Sequence, residues 1–210
     1  MSAALAVLTL LAMLGASLPA VRNAVAQDSI EEASQIGEPT TLGGVRPGPN
    51  GAEPQAFRKR GVAPIAIQIA NAEVDAQVEQ QEIVDGVMQN PSGPWVVAWY
   101  RGTGRLGEDD NIVMAGHLDY WDVGPAVFYH VGDLKENDEI DVTGEDDAVY
   151  KYKVDWVKNY SVADLDSKAV HEIVGATDTE TLTLITCGGP FDSEKGEYLE
   201  RIVIRASRLA

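Results

Sequence analysis

Three residues that each border an apolar run of the sequence form a set able to perform nucleophilic chemistry: Cys187, His117 and Arg201. A thiolate attacks a carbonyl carbon, but a free thiol is mostly protonated near neutral pH. A neighbouring imidazolium favours the thiolate and can later protonate a leaving amine. A guanidinium stays charged and can stabilise an oxyanion or hold a carbonyl group. Together the three side chains suffice for acyl transfer through a thioester.

The residues around Cys187 set it apart from an ordinary core cysteine. It is the only Cys in the chain, which excludes an internal disulfide and a Cys-rich metal cluster. It ends the apolar stretch 183–186 and precedes Gly188-Gly189, where the absence of side chains would let a substrate carbonyl approach the backbone. In an exported protein, a lone Cys also indicates a free reactive thiol.

His117 and Arg201 occupy comparable places at strand ends. His117 follows a short buried strand and a glycine, and such strand-to-loop positions often carry catalytic groups. His130 and His171 lie on predicted helices without a reactive neighbour, so we expect them to be ordinary surface residues. Arg201 opens a strand fourteen residues after Cys187, and the loop between them is long enough for the two strands to be antiparallel neighbours.

Strand signals dominate the chain from Val62 onwards, and helix signals are scarce. Seven or eight short strands in about 150 residues are typical of a β-barrel or a β-sandwich. Two short helices are predicted, over residues 125–130 and over residues 167–174 with Ser167 as the N-cap. Asp85-Gly86 predicts a turn. The predicted strands cover residues 65–69, 95–100, 111–116, 139–143, 149–157, 181–186 and 201–207.

The composition divides the chain near residue 60. Residues 1–26 are apolar and almost uncharged, which predicts either a retained membrane anchor or a secretory signal cut after Ala26; a buried core helix is the third hypothesis. Residues 27–60 are rich in Pro and Gly turn signals and predict a flexible linker. Residues 61–210 then form the catalytic domain, which either of the first two hypotheses would export.

The charge of the chain restricts its partners. Residues 1–60 contain five basic and five acidic side chains, so the whole net charge of −17 falls on residues 61–210. This excludes a general nucleic-acid binder, which needs a basic face to neutralise phosphates. The acidic runs 108–110 and 145–147 lack the spacing of a calcium-binding loop and are interpreted as solvated turns. No metal or cofactor is expected.

Considered together, these motifs resemble those of the sortases, the surface transpeptidases of Gram-positive bacteria. The resemblance extends from about residue 65 to the C-terminus and includes an N-terminal anchor and linker. The stretches that carry it are 115–119, similar to the histidine motif; 183–187, similar to the TLxTC motif; 200–203, similar to the arginine strand; and 124–128 and 186–192, similar to the class F subgroup.

The resemblance implies a mainly β fold, a closed eight-stranded sortase-type β-barrel with one or two short helices. It implies a cysteine transpeptidase or endopeptidase in which Cys187 attacks an LPxTG-like sorting signal of exported proteins. An amine acceptor such as a peptidoglycan precursor would then resolve the thioester. His117 carries over as the general acid/base, and Arg201 as the residue that positions substrate and oxyanion.

Further site residues follow from the same resemblance. Gly188 would offer a backbone N–H to the oxyanion, and Thr186 would line the substrate groove. Asp119 either orients His117 or is a loop carboxylate. The class F arginine region often has Asp-Asn before the last strand, whereas this chain has Leu199-Glu200, so Arg205 is the reserve candidate on the same strand face. Arg201 is favoured because it lies nearer the start of the strand.

Two other functions fit parts of the sequence. An L,D-transpeptidase or another cell-wall cysteine hydrolase would use similar groups, but L,D-transpeptidases place His and Cys close together in sequence. Here His117 and Cys187 are 70 residues apart. The other alternative is a non-catalytic anchored β-domain that binds a surface partner. The favoured hypothesis is a sortase held at the cell membrane by a single N-terminal segment with its catalytic domain outside, or secreted if that segment is removed.

Overall fold

The computed structural model describes residues 61–209, which comprise twelve strands, one α-helix and three 3-10 turns. The predicted N-terminal segment 1–26 and linker 27–60 lie outside the described residues. No helix among residues 61–209 is long and apolar enough to cross a membrane.

The strands carry labels in chain order. The α-helix, α1, spans Ser167–Val174, and the 3-10 turns span Ala70–Ala72, Val131–Asp133 and Val162–Asp164. The strands are β1 (Pro64–Ile69), β2 (Val74–Gln81), β3 (Ile83–Val84), β4 (Val87–Met88), β5 (Val96–Tyr100), β6 (Asn111–Ala115), β7 (Asp119–Tyr120), β8 (Gly124–Pro125), β9 (Glu139–Gly144), β10 (Val149–Ser161), β11 (Thr181–Asp192) and β12 (Glu197–Arg208).

Eight of these strands close into a barrel, in the order β1-β2-β5-β6-β11-β12-β10-β9. The predicted eight-stranded barrel is therefore confirmed. Two neighbouring pairs are parallel, β2 with β5 and β6 with β11, and the other six are antiparallel. The parallel pairing of β6 with β11 matters for function, because it joins the strand before His117 to the strand that carries Cys187.

The barrel interior is filled by alternate residues of its strands, as the period of two in a strand requires. Each fully buried Ile or Leu side chain contributes about 1.5–3 kcal/mol by leaving water. On the barrel's outer face, a second small cluster forms from Ala98, Tyr100 and Val113, packed against Ile185 and against Val174 of α1. The fully buried interior side chains include Ile67, Ile69, Leu106, Ile112, Met114, Phe128, Ile140, Tyr152, Leu182, Leu184 and Ile204.

The N-cap of helix α1 lies one residue before the predicted one. The Asp166 carboxylate accepts a hydrogen bond from the Ala169 N–H at 2.8 Å, so Asp166 is the cap and the prediction of Ser167 is wrong. A carboxylate satisfies an unpaired N–H and also interacts favourably with the positive end of the helix dipole. Near the other end of the helix, Arg205 donates hydrogen bonds to the Glu172 and Ile173 carbonyls.

The helix predicted over residues 125–130 is not formed. Pro125 ends strand β8, and residues 127–130 form a turn that precedes the 3-10 turn Val131–Asp133. Two of the backbone donors bind the segment around His117: Ala126 N–H donates to the Leu118 carbonyl and Phe128 N–H to the His117 carbonyl, both at 2.9 Å. Long-range pairing has therefore displaced a helix that local propensity favoured.

Two predicted connections can be compared with the structure: one is confirmed and the other is shorter than predicted. The predicted turn at Asp85 and Gly86 joins β3 to β4, with both residues at positive φ, 51° and 79°. The loop predicted between Cys187 and Arg201, over residues 188–199, is too long. Strand β11 continues to Asp192 and strand β12 already begins at Glu197, so only residues 193–196 form the turn. The hairpin is thus extended beyond Cys187, with an irregularity in register between Gly188 and Phe191.

Candidate active site

Cys187 and Arg201 are direct partners across the antiparallel pair β11–β12. Residues directly opposite each other in such a pair have Cβ atoms about 4.5–5.5 Å apart on the same face of the sheet. The predicted antiparallel pairing of these two strands is therefore confirmed. The backbone register, rather than a flexible loop, brings a permanent positive charge beside the thiol.

The Arg201 side chain is held by its own strand. Its Nη1 donates hydrogen bonds to the Tyr198 and Glu200 carbonyls, both at 2.9 Å. The side chain is half-buried, so its charge is screened less by water than that of an exposed arginine. These contacts give the guanidinium a fixed position next to Cys187.

Arg205, the reserve candidate, has a different environment. It pairs with Thr183, four residues before Cys187 on β11. Its Nη2 donates to two carbonyls of α1 at 2.9–3.0 Å, and its guanidinium lies 5.5 Å from the centre of the Trp156 ring. These contacts assign Arg205 to holding α1 against the barrel, so Arg201 is the better candidate for the site.

His117 reaches the site through the parallel pair β6–β11. The last pair in this ladder is Ala115 with Ile185, so His117 follows the end of β6 by two residues and Cys187 lies two residues further along β11. The contact continues beyond the ladder, since the Gly116 N–H donates to the Ile185 carbonyl at 3.2 Å. Because paired strands lie about 4.8 Å apart, the register continued by two residues predicts that His117 lies alongside Cys187.

Thr186 fixes the same connection from the side of β11. Its hydroxyl donates to the Gly116 carbonyl at 2.9 Å, and only 3% of the residue is exposed. Gly116 is thus bound to β11 through both its N–H and its carbonyl. The contact between Thr186 and a substrate stays a prediction, while the observed contact gives Thr186 a part in placing His117.

The His117 residue is restrained by the loops around it. Its backbone carbonyl accepts from Phe128, and its Nε2 lies 3.4 Å from the Pro91 carbonyl, a long hydrogen bond in which Nε2 is the donor because a carbonyl only accepts. The Tyr120 ring packs edge-on against the imidazole, with centroids 5.2 Å apart. A Cβ on Gly116 would lie 2.6 Å from the Phe128 ring, so this approach requires glycine.

The electrostatic environment of Cys187 contains opposing contributions. Burial is the largest and raises the pKa of the thiol, the Arg201 charge lowers it, and the Asp119 carboxylate raises it. The net pKa lies above the ordinary value for cysteine. In the free protein at neutral pH, Cys187 is therefore mainly a thiol, and formation of the thiolate is part of the reaction.

The Asp119 carboxylate accepts a hydrogen bond from the Tyr198 hydroxyl. This bond, followed by burial and the Asp119 charge, raises the pKa of Tyr198 to about 12. The sequence did not predict a role for Tyr198, and no local pattern connects it to a residue 79 positions away. The alternative in which Asp119 orients His117 stays a prediction.

Gly188 is needed for packing, whatever else it does. A Cβ at this position would lie 2.5 Å from Cγ1 and 2.8 Å from Cδ1 of Ile202, a half-buried residue packed against the core. The predicted donation of the Gly188 N–H to an oxyanion stays a prediction.

The acidic run 108–110 lies away from these residues. It lines a cavity of about 540 Å³ together with Gly107 and residues 176–178, beside the N-terminal ends of β6 and β11. Cys187 and His117 lie towards the C-terminal ends of the same strands. Among residues 61–209, no group of three His, Cys, Asp or Glu side chains is placed to hold a metal ion.

Comparison with known proteins defines the class to which this fold and site belong. Residues 67–209 match the family model of the sortase domain, so the chain belongs to the sortase family. Sortases are cysteine transpeptidases that act on sorting-signal proteins and amine nucleophiles, and this chain is therefore a sortase-type transpeptidase. A search of curated proteins finds no match.

Solved structures of sortases share its fold at low sequence identity. A sortase D5 transpeptidase of Clostridium perfringens is 19% identical with a TM-score of 0.51, over 74% of this chain and 83% of that one. A lid mutant of sortase A from Corynebacterium diphtheriae is 19% identical with a TM-score of 0.54, over 74% and 73%. Sortase A of Listeria monocytogenes is 19% identical with a TM-score of 0.51, over 72% and 89%.

Proposed function

We propose that this sortase cleaves an LPxTG-like sorting signal through a thioester on Cys187 and transfers the acyl group to an amine. One observation carries the assignment of residues. Cys187 directly faces Arg201 across β11–β12, and the parallel register of β6 with β11, continued two residues past its last pair, supports a position of His117 on the other side of Cys187. In this proposal a nucleophile, an acid/base and a fixed cation act on the same carbonyl group.

Acylation uses all three groups. The Cys187 thiol gives its proton to His117, the sulfur attacks the scissile carbonyl carbon as a thiolate, and the carbonyl electrons move to the oxygen. The Arg201 guanidinium stabilises the oxyanion without reorganising, because its own strand already holds it in place. When the oxyanion collapses, the C–N bond breaks and His117 donates a proton to the leaving nitrogen. The products are a thioester and a free C-terminal fragment.

Deacylation reverses the role of the histidine. An amine attacks the thioester carbon, and His117 accepts the proton that this nitrogen loses. The C–S bond then breaks and Cys187 leaves as a thiolate, and the return of the proton from His117 to the sulfur restores the starting thiol. Water in place of the amine gives hydrolysis, so the same site acts as a cysteine endopeptidase when no acceptor is present.

Within the family, we assign the chain to class F. Supporting this, the class F-like stretch 124–128 contacts the segment 117–119. Pro125 of β8 pairs with Asp119 of β7, and the Phe128 N–H donates to the His117 carbonyl. The class F-like stretch after Cys187 contains Gly188, whose lack of a side chain accommodates Ile202. Both stretches therefore support the site.

The proposed location of the protein rests on the apolar composition of residues 1–26. We propose that this apolar segment anchors the chain in the cell membrane with the catalytic domain outside, or directs secretion if it is cut after Ala26. Fractionation of cells that express the full chain, with mass determination of the mature N-terminus, separates the two outcomes. Recovery of the uncut chain in the cytosol would contradict both.

Cleavage of a sorting-peptide library, with and without an added amine, tests the proposed activity. Wild-type protein should release C-terminal fragments and, with the amine, form a new amide product. Cys187→Ala and His117→Ala should each abolish both reactions. His171→Ala is the matched histidine control, since His171 is an exposed residue of α1. Cleavage retained by purified Cys187→Ala protein would end the proposal.

A further inference from the structure

We propose that Tyr198 is a positioning residue of the active site: its hydroxyl restrains the Asp119 carboxylate, its carbonyl restrains the Arg201 guanidinium, and together these contacts set the balance of charge at Cys187. The inference deepens the proposed function and relies on it for the effects on turnover. The charge balance itself can be measured on the free protein without any substrate.

The Tyr198–Asp119 hydrogen bond joins the two sides of the site. In the barrel order, β11 lies between β6 and β12. Asp119 is in β7, two residues after His117, and Tyr198 is the second residue of β12. The hydrogen bond therefore connects the segment that follows His117 with strand β12, which carries Arg201. The strand between these two parts of the structure is β11, which carries Cys187.

The Tyr198 side chain is held in place by its neighbour on β11. It pairs with Phe191 on β11, and the two rings pack edge-to-face with centroids 5.1 Å apart. Aromatic cross-strand pairs of this kind stabilise a hairpin beyond its hydrogen bonds. The Tyr198 carbonyl accepts from Arg201 Nη1 at 2.9 Å, so one residue holds the acid on one side and the cation on the other.

The charges around the thiol explain why this restraint matters. Arg201 lowers the pKa of Cys187 and Asp119 raises it. Tyr198 keeps its proton because its own pKa is raised to about 12, chiefly by the hydrogen bond to Asp119. It is therefore a neutral donor to Asp119 throughout the working pH range.

Removal of the hydroxyl should release the carboxylate. A free Asp119 side chain can turn towards the Arg201 guanidinium or towards the thiol, and each movement reduces the positive potential that Cys187 experiences. The expected consequence is a higher thiol pKa and less thiolate at neutral pH. Removal of the Asp119 charge has the opposite sign, because it takes away a contribution that raises the thiol pKa.

Two variants and their combination test the inference: Tyr198→Phe, Asp119→Asn and the double variant. The pKa of Cys187 is followed by the pH dependence of its alkylation rate, which reports one site because the chain has one Cys. Tyr150→Phe is the matched control, because the Tyr150 hydroxyl also donates to a carboxylate, that of Asp146, at 2.9 Å. Tyr150 is near the start of β10, whereas the residue of β10 that pairs with Arg201 is Tyr160, near its end.

Tyr198→Phe should raise the thiol pKa and lower kcat/KM near neutral pH, each by an amount equivalent to roughly a three- to tenfold loss of thiolate. Asp119→Asn should lower the thiol pKa. In the Asp119→Asn background, Tyr198→Phe should have little further effect, since the charge that it releases is gone. Tyr150→Phe should leave the thiol pKa unchanged.

A merely structural Tyr198 would give another pattern. Tyr198→Phe would then lower the melting temperature and leave the thiol pKa unchanged, or shift it equally with and without Asp119→Asn. Either result overturns the inference. If Tyr198→Phe folds poorly, the exposed Asp119→Asn variant decides alone, and an unchanged thiol pKa there also overturns it. If the titrations behave as expected but no peptide is cleaved by wild-type protein, the proposed function fails and the charge balance stands.

Discussion

Cys187 and Arg201 face each other as partners in one antiparallel hairpin, so their separation is set by the backbone ladder of β11 and β12. The guanidinium is then fixed by two carbonyls of its own strand, at Tyr198 and Glu200. A charge held in this way needs no rearrangement when an oxyanion forms next to it. The same charge opposes the effect of burial on the thiol pKa.

Arg201→Ala should therefore lower the rate of peptide cleavage and also raise the pKa of the Cys187 thiol. We expect kcat/KM for a sorting peptide to fall by about 10²–10³-fold, the usual effect of losing an oxyanion-stabilising group. The thiol pKa should rise, because the contribution that lowers it is removed. Arg205→Gln is the matched control on the same strand face: it should lower the melting temperature through loss of its contacts to α1 and leave the thiol pKa unchanged. Equal kinetic effects of the two variants would reverse the assignment.

The raised pKa of Cys187 predicts the pH dependence of its reactivity. The thiolate is the reactive form, and below the pKa its fraction rises about tenfold for each unit of pH. The alkylation rate should keep rising with pH beyond the value at which the same chain, unfolded in urea, reaches its plateau. The native midpoint should lie above the unfolded one because burial outweighs the Arg201 charge. A native midpoint below the unfolded one contradicts this account.

The site residues that could be identified from the sequence all lie at the ends of predicted strands. Cys187 and Arg201 flank apolar runs, and the hairpin between them is local in sequence, so their pairing could be predicted. Placing His117 beside Cys187 requires a parallel pair that joins residues 70 positions apart, and the motif resemblance, not periodicity, supplied that connection. Residue type and strand alternation do not separate Arg201 from Arg205, and the sequence favours Arg201 only for its place near the strand start; the pairing of Arg201 with Cys187 and the contacts of Arg205 with α1 now distinguish them.

What the sequence missed depends on tertiary contacts. The sequence predicts a helix over residues 125–130, yet the N–H groups of Ala126 and Phe128 bind the carbonyls of Leu118 and His117. Tyr198 carries no motif, and its partner Asp119 is distant along the chain. Ser167 is an acceptable cap, but the preceding Asp166 supplies a carboxylate at the correct distance from the helix. In each case a long-range or geometric preference decided between options that were locally similar.

The Thr186 hydroxyl offers a test of how His117 is placed. Thr186→Val keeps the shape of the side chain but leaves the Gly116 carbonyl without its donor, at a cost of about 1–3 kcal/mol. Because Gly116 directly precedes His117, kcat should fall more than the loss of stability explains at a temperature where the variant remains folded.

Thr183→Val is the matched comparison for this prediction. Thr183 is also a buried threonine of β11, and its hydroxyl donates to Asn111 Oδ1 at 2.6 Å, away from the site. It should lose similar stability, measured by urea unfolding, and keep its kcat. If both variants lose kcat in proportion to stability, the Gly116 contact has no specific part in placing His117.

Gly188 can be tested for two roles that one substitution would confuse. Gly188→Ala places a Cβ 2.5 Å from Cγ1 of Ile202, and overpacking of this kind costs about 1–3 kcal/mol. It keeps the backbone N–H that is proposed to bind the oxyanion. Ile202→Ala removes the two atoms that clash, so the double variant should be more stable than the sum of the single effects predicts. If the N–H is the functional group, the double variant should also regain cleavage activity that Gly188→Ala loses. Recovered stability without recovered activity would show instead that the substrate requires the open space at Gly188.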